Sequence, residues 1–78
     1  MSPDEVRNGL FDLLHRVAPE ADLAKIAPDE NLREALDIDS FDFLKVIIGI
    51  HEVFGVEIPE SAYSRIATLR GMIDYLSM

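Results

Sequence analysis

The sequence predicts an all-α fold: a bundle of three main helices plus one short helix, with a long first loop. Three observations carry this expectation. Apolar residues recur at three- and four-residue spacing in three separate stretches. Helix-opening and helix-stopping residues bracket those stretches. No segment alternates polar and apolar residues for long enough to make a strand.

The first helix is expected over about Pro3 to Val17. Ser2 is a cap type, Pro3 suits the first helical position, and Glu5 completes a Ser-x-x-Glu capping box. Val6, Leu10, Leu13, Leu14 and Val17 then hold helical spacing, and Pro19 ends the run. Residues 18–39 form a connection interrupted by Pro19 and Pro28. A connection of that length in a small domain is functional or contains local structure. Ile26, Leu32 and Leu36 are its expected anchors to the core. Asn31 and Glu34 in "NLRE" suit one capped helical turn.

The central helix is expected from Ser40 to Phe54. Phe41, Leu44, Ile47, Ile48 and Phe54 fall on one face, and Phe43, Val46, Ile50 and Val53 extend the apolar surface almost around the cylinder. Such a helix is central, or it shows apolar surface to a partner. Gly49 lies within it, and Gly55 stands where a left-handed cap is expected. After a connection punctuated by Pro59, the short helix is expected over about Glu60 to Ile66. Thr68 then caps a last helix with Leu69, Met72, Ile73 and Leu76 on one face.

Composition narrows the function classes. The 78 residues, 1–78, are read as one domain, near the lower size limit for a core without cross-links. There is no cysteine, so disulfides, thiolate nucleophiles and cysteine-held metals are excluded. Fifteen acidic against seven basic residues make a net charge of −8. That charge opposes nucleic-acid binding and docking on anionic membranes, and favours a basic protein partner. The longest apolar run falls far short of the roughly 20 residues that span a membrane. The acidic N-terminal stretch lacks the apolar core of a signal peptide, so a cytoplasmic location and a monomer without membrane insertion are expected.

The stretch Asp37-Ile38-Asp39-Ser40-Phe41 admits four readings. Capping is the plainest, since Asp39 or Ser40 precedes an apolar helix. Calcium is the second. An EF-hand loop would need an acidic or amide residue at 41, glycine at 42 and glutamate at 48. Phe41, Asp42 and Ile48 occupy those positions. The EF-hand is therefore rejected, weak surface cation binding is what remains of that reading, and no metal site is expected. Nucleophilic catalysis is the third. The chain has no Gly-x-Ser-x-Gly elbow, His15 belongs to the first helix, and His51 lies three turns from Ser40, so no catalytic activity of its own is expected. The fourth is a covalent attachment point.

The run "DIDSFDFLKVIIGIHEVFGVEIPE" followed by "RIATLRGMIDYL" resembles the acyl carrier protein family, the phosphopantetheine-binding carrier domains. Three marks carry the resemblance: Asp39-Ser40 followed by a large apolar residue, "FGVEIPE" from Phe54 to Glu60, and Thr68-Leu69 opening the last helix. It covers the chain from the first helix to about Leu76. The resemblance implies an acyl-carrier-like bundle. It also implies that Ser40 carries a covalent 4′-phosphopantetheine arm from coenzyme A, with Asp39 recognised by the phosphopantetheinyl transferase that installs it. The implied function is that of a free-standing carrier, not an enzyme. It would hold acyl groups as thioesters and present them to synthase, ligase or acyl-transfer enzymes of fatty-acid, lipid or polyketide-type biosynthesis.

The implied partner contacts are Phe41, Asp42, Phe43, Ile47, His51 and Glu52, meeting basic or apolar docking patches. Leu10, Leu14, Ile48, Ile50, Phe54, Ile66, Leu69 and Ile73 are expected core, and the resemblance implies that the bundle interior can receive an acyl chain. The chain departs from the family pattern at Asp37, where glycine is common, and at Lys45 and His51, where acidic residues are common. Phe43 and Ile47 enlarge the apolar stripe, so a specialised carrier with more apolar docking is expected. Two other readings stand beside this one. An aminoacyl or peptidyl carrier of a nonribosomal pathway commonly has a Gly-Gly-Asp/His-Ser context, which is missing. An unmodified helical interaction module would use Phe41, Phe43 and Ile47 as a static patch.

Overall fold

The computed structural model describes residues 2–77; the terminal methionines of the 1–78 span lie outside the described residues. Helices α1 (Pro3–Val17), α2 (Leu32–Ala35), α3 (Ser40–Phe54) and α4 (Leu69–Ser77) are joined by 3-10 segments at Leu23–Lys25 and Glu60–Ile66. Among the described residues there is no strand, and no helix is long and apolar enough to cross a membrane.

Local sequence accounts for each helix end. Ser2 Oγ accepts the Glu5 amide hydrogen at 3.3 Å and donates to Glu5 Oε1 at 3.1 Å. Side-chain caps of this kind satisfy amides that the first turn leaves without partners. Thr68 caps α4 in the same way, accepting from the Gly71 amide at 3.0 Å. Gly55 closes α3 with φ 69° and donates to the His51 carbonyl at 2.9 Å. The expected short helix over Glu60–Ile66 is present, but it is wound as 3-10, beginning with an Ala62 amide bond to the Pro59 carbonyl at 2.9 Å.

The long first connection is ordered by two devices. Asn31 caps the single turn of α2, accepting from the Glu34 amide at 3.2 Å. Leu32 and Leu36 are buried, while Ile26 packs half-buried against the core. The Leu32 amide then donates to the Ala67 carbonyl, and the Arg70 amide to the Pro28 carbonyl, both at 2.9 Å. Asn31 and Thr68, the caps of two different helices, thus pair across an isolated antiparallel bridge. These bonds tie the connection to the start of α4 and satisfy backbone groups that no helix would serve.

The core is continuous. Val6, Leu10 and Leu14 of α1 meet Val46 and Ile50 of α3, Ile66, and Met72 of α4, all fully buried. Each such side chain contributes roughly 1.5–3 kcal/mol by leaving water. Helices α1 and α3 fit by exchange. A Cβ on Gly49 of α3 would overlap Leu13 Cδ1 of α1, and a Cβ on Gly9 of α1 would lie 2.7 Å from the Phe54 ring of α3. Each helix therefore receives a large side chain at a glycine of the other.

Helix α3 corrects part of the sequence reading. Its inward face is Phe43, Val46, Ile47 and Ile50. Phe41, Leu44 and Ile48 point outward, so Ile48, expected in the core, is 52% exposed. Both sets have helical spacing, and charge decides between them. Lys45 shares the outward face with Phe41 and Ile48, and turning that face inward would bury its ammonium without a sufficient partner.

Candidate functional site

The site begins with a backbone reversal. At the end of α2 the Ile38 amide donates to the Arg33 carbonyl at 3.0 Å and the Asp37 amide to the Glu34 carbonyl at 3.2 Å. This is a Schellman motif, which needs a left-handed residue after the cap. Asp37 supplies it with φ 53°. The reversal redirects the chain into α3 within two residues.

Asp39 is the cap of α3. Its backbone is extended and its Oδ1 accepts the Asp42 amide hydrogen at 2.9 Å. Of the two capping candidates in the sequence, Asp39 takes the role. Ser40 becomes the first helical residue, and both are exposed. The Ser40 hydroxyl is therefore left out of the cap and open to a reagent.

Beside Ser40 lies a cleft of about 590 Å³. Its apolar lining includes Phe43, Leu44 and Ile47, and its polar lining includes Arg33 and Tyr63. That volume is within the range of small-molecule sites, roughly 300–1,000 Å³. An exposed hydroxyl, a helix start that favours a phosphate, and an amphipathic cleft alongside fit a long, flexible, phosphate-linked arm.

The other expected site residues divide into two sets. Phe41 is 68% exposed, and Asp42, His51 and Glu52 also stay on the solvent side of α3. Phe43 and Ile47 do not: they are buried, at 9% and 7% exposure. Any contact they make with a partner would run through the clefts they line rather than through the exposed face of α3. Both line the cleft beside Ser40, and Ile47 also lines a second cleft with Ile48, His51 and Ile58. Leu44 and Ile48 are exposed apolar residues of α3 that share helical spacing with Phe41.

Lys45 organises this outward face. Its ammonium lies 3.6 Å from Asp42 Oδ1 and 5.5 Å from the centroid of the Phe41 ring. Asp42 is thereby partly neutralised, and Phe41 is steadied by a cation over its face. Among the described residues no group of three or more His, Asp and Glu side chains is placed to hold a metal ion.

Comparison with known proteins bears on most of the chain. A family model described as "Phosphopantetheine attachment site" matches residues 8–76. The chain is 34% identical to an acyl carrier protein of Rubrobacter xylanophilus over 55 residues, 70% of this chain and 68% of that protein. It is 30% identical to an acyl carrier protein of Lactobacillus johnsonii over 77 residues, 97% of this chain and 94% of the other. With an acyl carrier protein of Thermobifida fusca it shares 28% identity over 75 residues, 96% and 94% of the two chains.

Proposed function

Because the chain belongs to the acyl carrier protein family, whose members imply a covalently attached 4′-phosphopantetheine, we propose that Ser40 is the attachment residue and that the protein presents acyl groups to biosynthetic enzymes. The observation that carries this reading is the placement of Ser40: exposed, first in α3, excused from capping by Asp39, and lining the cleft. When bound, the arm supplies a terminal thiol that holds acyl groups as thioesters, in a chain with no cysteine of its own.

Each nearby residue has a separate task. Ser40 offers the oxygen that attacks the inner phosphate of coenzyme A on a transferase. The Oγ–P bond forms as the pyrophosphate P–O bond breaks, adenosine 3′,5′-bisphosphate leaves, and the hydroxyl proton passes to a base of the transferase. Asp39 holds the first turn of α3 in place and gives that transferase an acidic landmark. Phe43, Leu44 and Ile47 offer the apolar side of the cleft to the arm or the first atoms of its cargo. Phe41, Leu44 and Ile48 form the apolar face seen by partner enzymes, with Asp42 and Glu52 as its acidic margin. Charge at that margin speeds encounter more than it fixes affinity.

The protein acts as a carrier, not as an enzyme. His51 lies eleven residues beyond Ser40 on the same helix, about 16 Å along the axis at 1.5 Å per residue, out of reach as a base. Attachment is tested by intact mass after incubation with coenzyme A, magnesium and a broad-specificity phosphopantetheinyl transferase. The wild type should gain about 340 Da, the mass of the arm as a covalent group carrier, and Ser40→Ala should gain nothing. No gain in wild type with two unrelated transferases would turn the reading to an unmodified interaction module.

A further inference from the structure

We propose that Arg33 pairs with the phosphodiester of an arm joined at Ser40 and so draws the root of that arm into the cleft. The inference rests on the Ser40 reading above. Arg33 and Ser40 line the same cleft, although they lie on different elements. The Schellman turn brings them together, because the Arg33 carbonyl accepts from Ile38 as the chain reverses toward α3.

Charge singles out Arg33. It is the one cation among the residues lining this cleft, where Glu60 is the one anion. Among the described residues Arg33 has no ion-pair partner, whereas Lys45 is engaged with Asp42 and Phe41. A phosphodiester on Ser40 would add negative charge between Asp39 and Asp42, in a chain of net charge −8. The Asp42 amide of the first turn of α3 is already taken by the Asp39 carboxylate. The positive group that shares the cleft with Ser40 and has no ion-pair partner then comes from α2. A guanidinium presents a planar fork that matches two phosphate oxygens at once, and an exposed stem leaves it free to swing onto them.

The experiment starts with intact mass, which must show one arm on wild type and on Arg33→Gln and none on Ser40→Ala. A failure at this step is a failure of the Ser40 reading, not of the Arg33 inference. Thermal midpoints of apo and holo protein are then measured for wild type, Arg33→Gln and Arg33→Lys, with phosphorus NMR of each holo form. Attachment should raise the midpoint of wild type relative to Arg33→Gln by about 1–5 °C, the scale of one exposed charge pair in a domain this small. The difference should shrink in about 0.5 M salt, where the screening length is only a few ångströms. Arg33→Lys should keep part of it, and the phosphorus shift should differ between wild type and Arg33→Gln. The apo forms should melt together, which a merely structural role for Arg33 would not allow. Equal apo-to-holo changes in wild type and Arg33→Gln, or an unchanged phosphorus shift, would overturn the inference. A comparison of acetyl- and succinyl-loaded protein separates the other oxyanion source. A difference seen only with succinyl would overturn the phosphodiester assignment and give Arg33 to a cargo carboxylate.

Discussion

The Asp39 carboxylate accepts the Asp42 amide hydrogen at 2.9 Å, so the first turn of α3 is closed by the residue before Ser40. The two neighbours have separable energetics. Asp39→Ala should cost about 0.5–2 kcal/mol, the usual worth of an N-cap. Ser40→Ala should change stability by less than about 0.5 kcal/mol, as expected of an exposed position outside any cap. Urea denaturation of both variants checks this. Equal losses would mean that the serine hydroxyl shares the cap.

Asp37 holds a left-handed backbone at φ 53° where the family commonly has glycine. Aspartate tolerates this region better than most residues, but glycine enters it without a Cβ penalty. Asp37→Gly should therefore raise stability by about 0.5–1 kcal/mol, and Asp37→Val should lower it by at least as much. The same denaturation midpoints decide it. A destabilised glycine variant would mean that the carboxylate itself supports the turn.

Much of this fold is legible in the residue order because its signals are local. Ser2, Asn31, Thr68 and Gly55 each announce a helix end, and each is found in that role. The orientation of α3 is less legible, because Phe41-Leu44-Ile48 and Phe43-Val46-Ile47-Ile50 have equivalent periods. The packing of Leu13 against Gly49 and the solvation of Lys45 choose between them, and the first of these depends on a distant part of the chain. The site shows the same division. Asp39-Ser40 is a sequence mark, but Arg33 has no spacing signal linking it to Ser40. It enters the cleft through the reversal at Asp37, a tertiary consequence of one left-handed residue.

Gly49 carries a prediction with a sign that reverses by context. Gly49→Ala gains helix propensity of about 1 kcal/mol, but its methyl meets the buried Leu13 side chain, and overpacking costs about 1–3 kcal/mol. The net effect in the native background should be destabilising. In a Leu13→Ala background the clash is gone, and the same substitution should stabilise by about 1 kcal/mol. A double-mutant cycle reads this coupling directly. Additive effects would mean that the two helices do not approach through this pair.

The two apolar stripes of α3 should separate stability from recognition. Ile47 is buried, so Ile47→Ala should cost about 2–5 kcal/mol. Ile48 is 52% exposed, so Ile48→Ser should stay within about 1 kcal/mol of wild type. If the outward stripe is the docking face, Ile48→Ser should nevertheless lower kcat/KM of a partner enzyme by about fivefold or more, the loss that marks an energetic contact. Lys45→Glu should act differently. It removes the cation from Phe41 and the partner from Asp42, adding acidic charge where a basic partner approaches. Its effect should lie mainly in association rate and vanish at high salt. Stability measured beside partner kinetics, at two salt concentrations, tests the face as a whole. Unchanged kinetics for both variants would place docking elsewhere on the bundle.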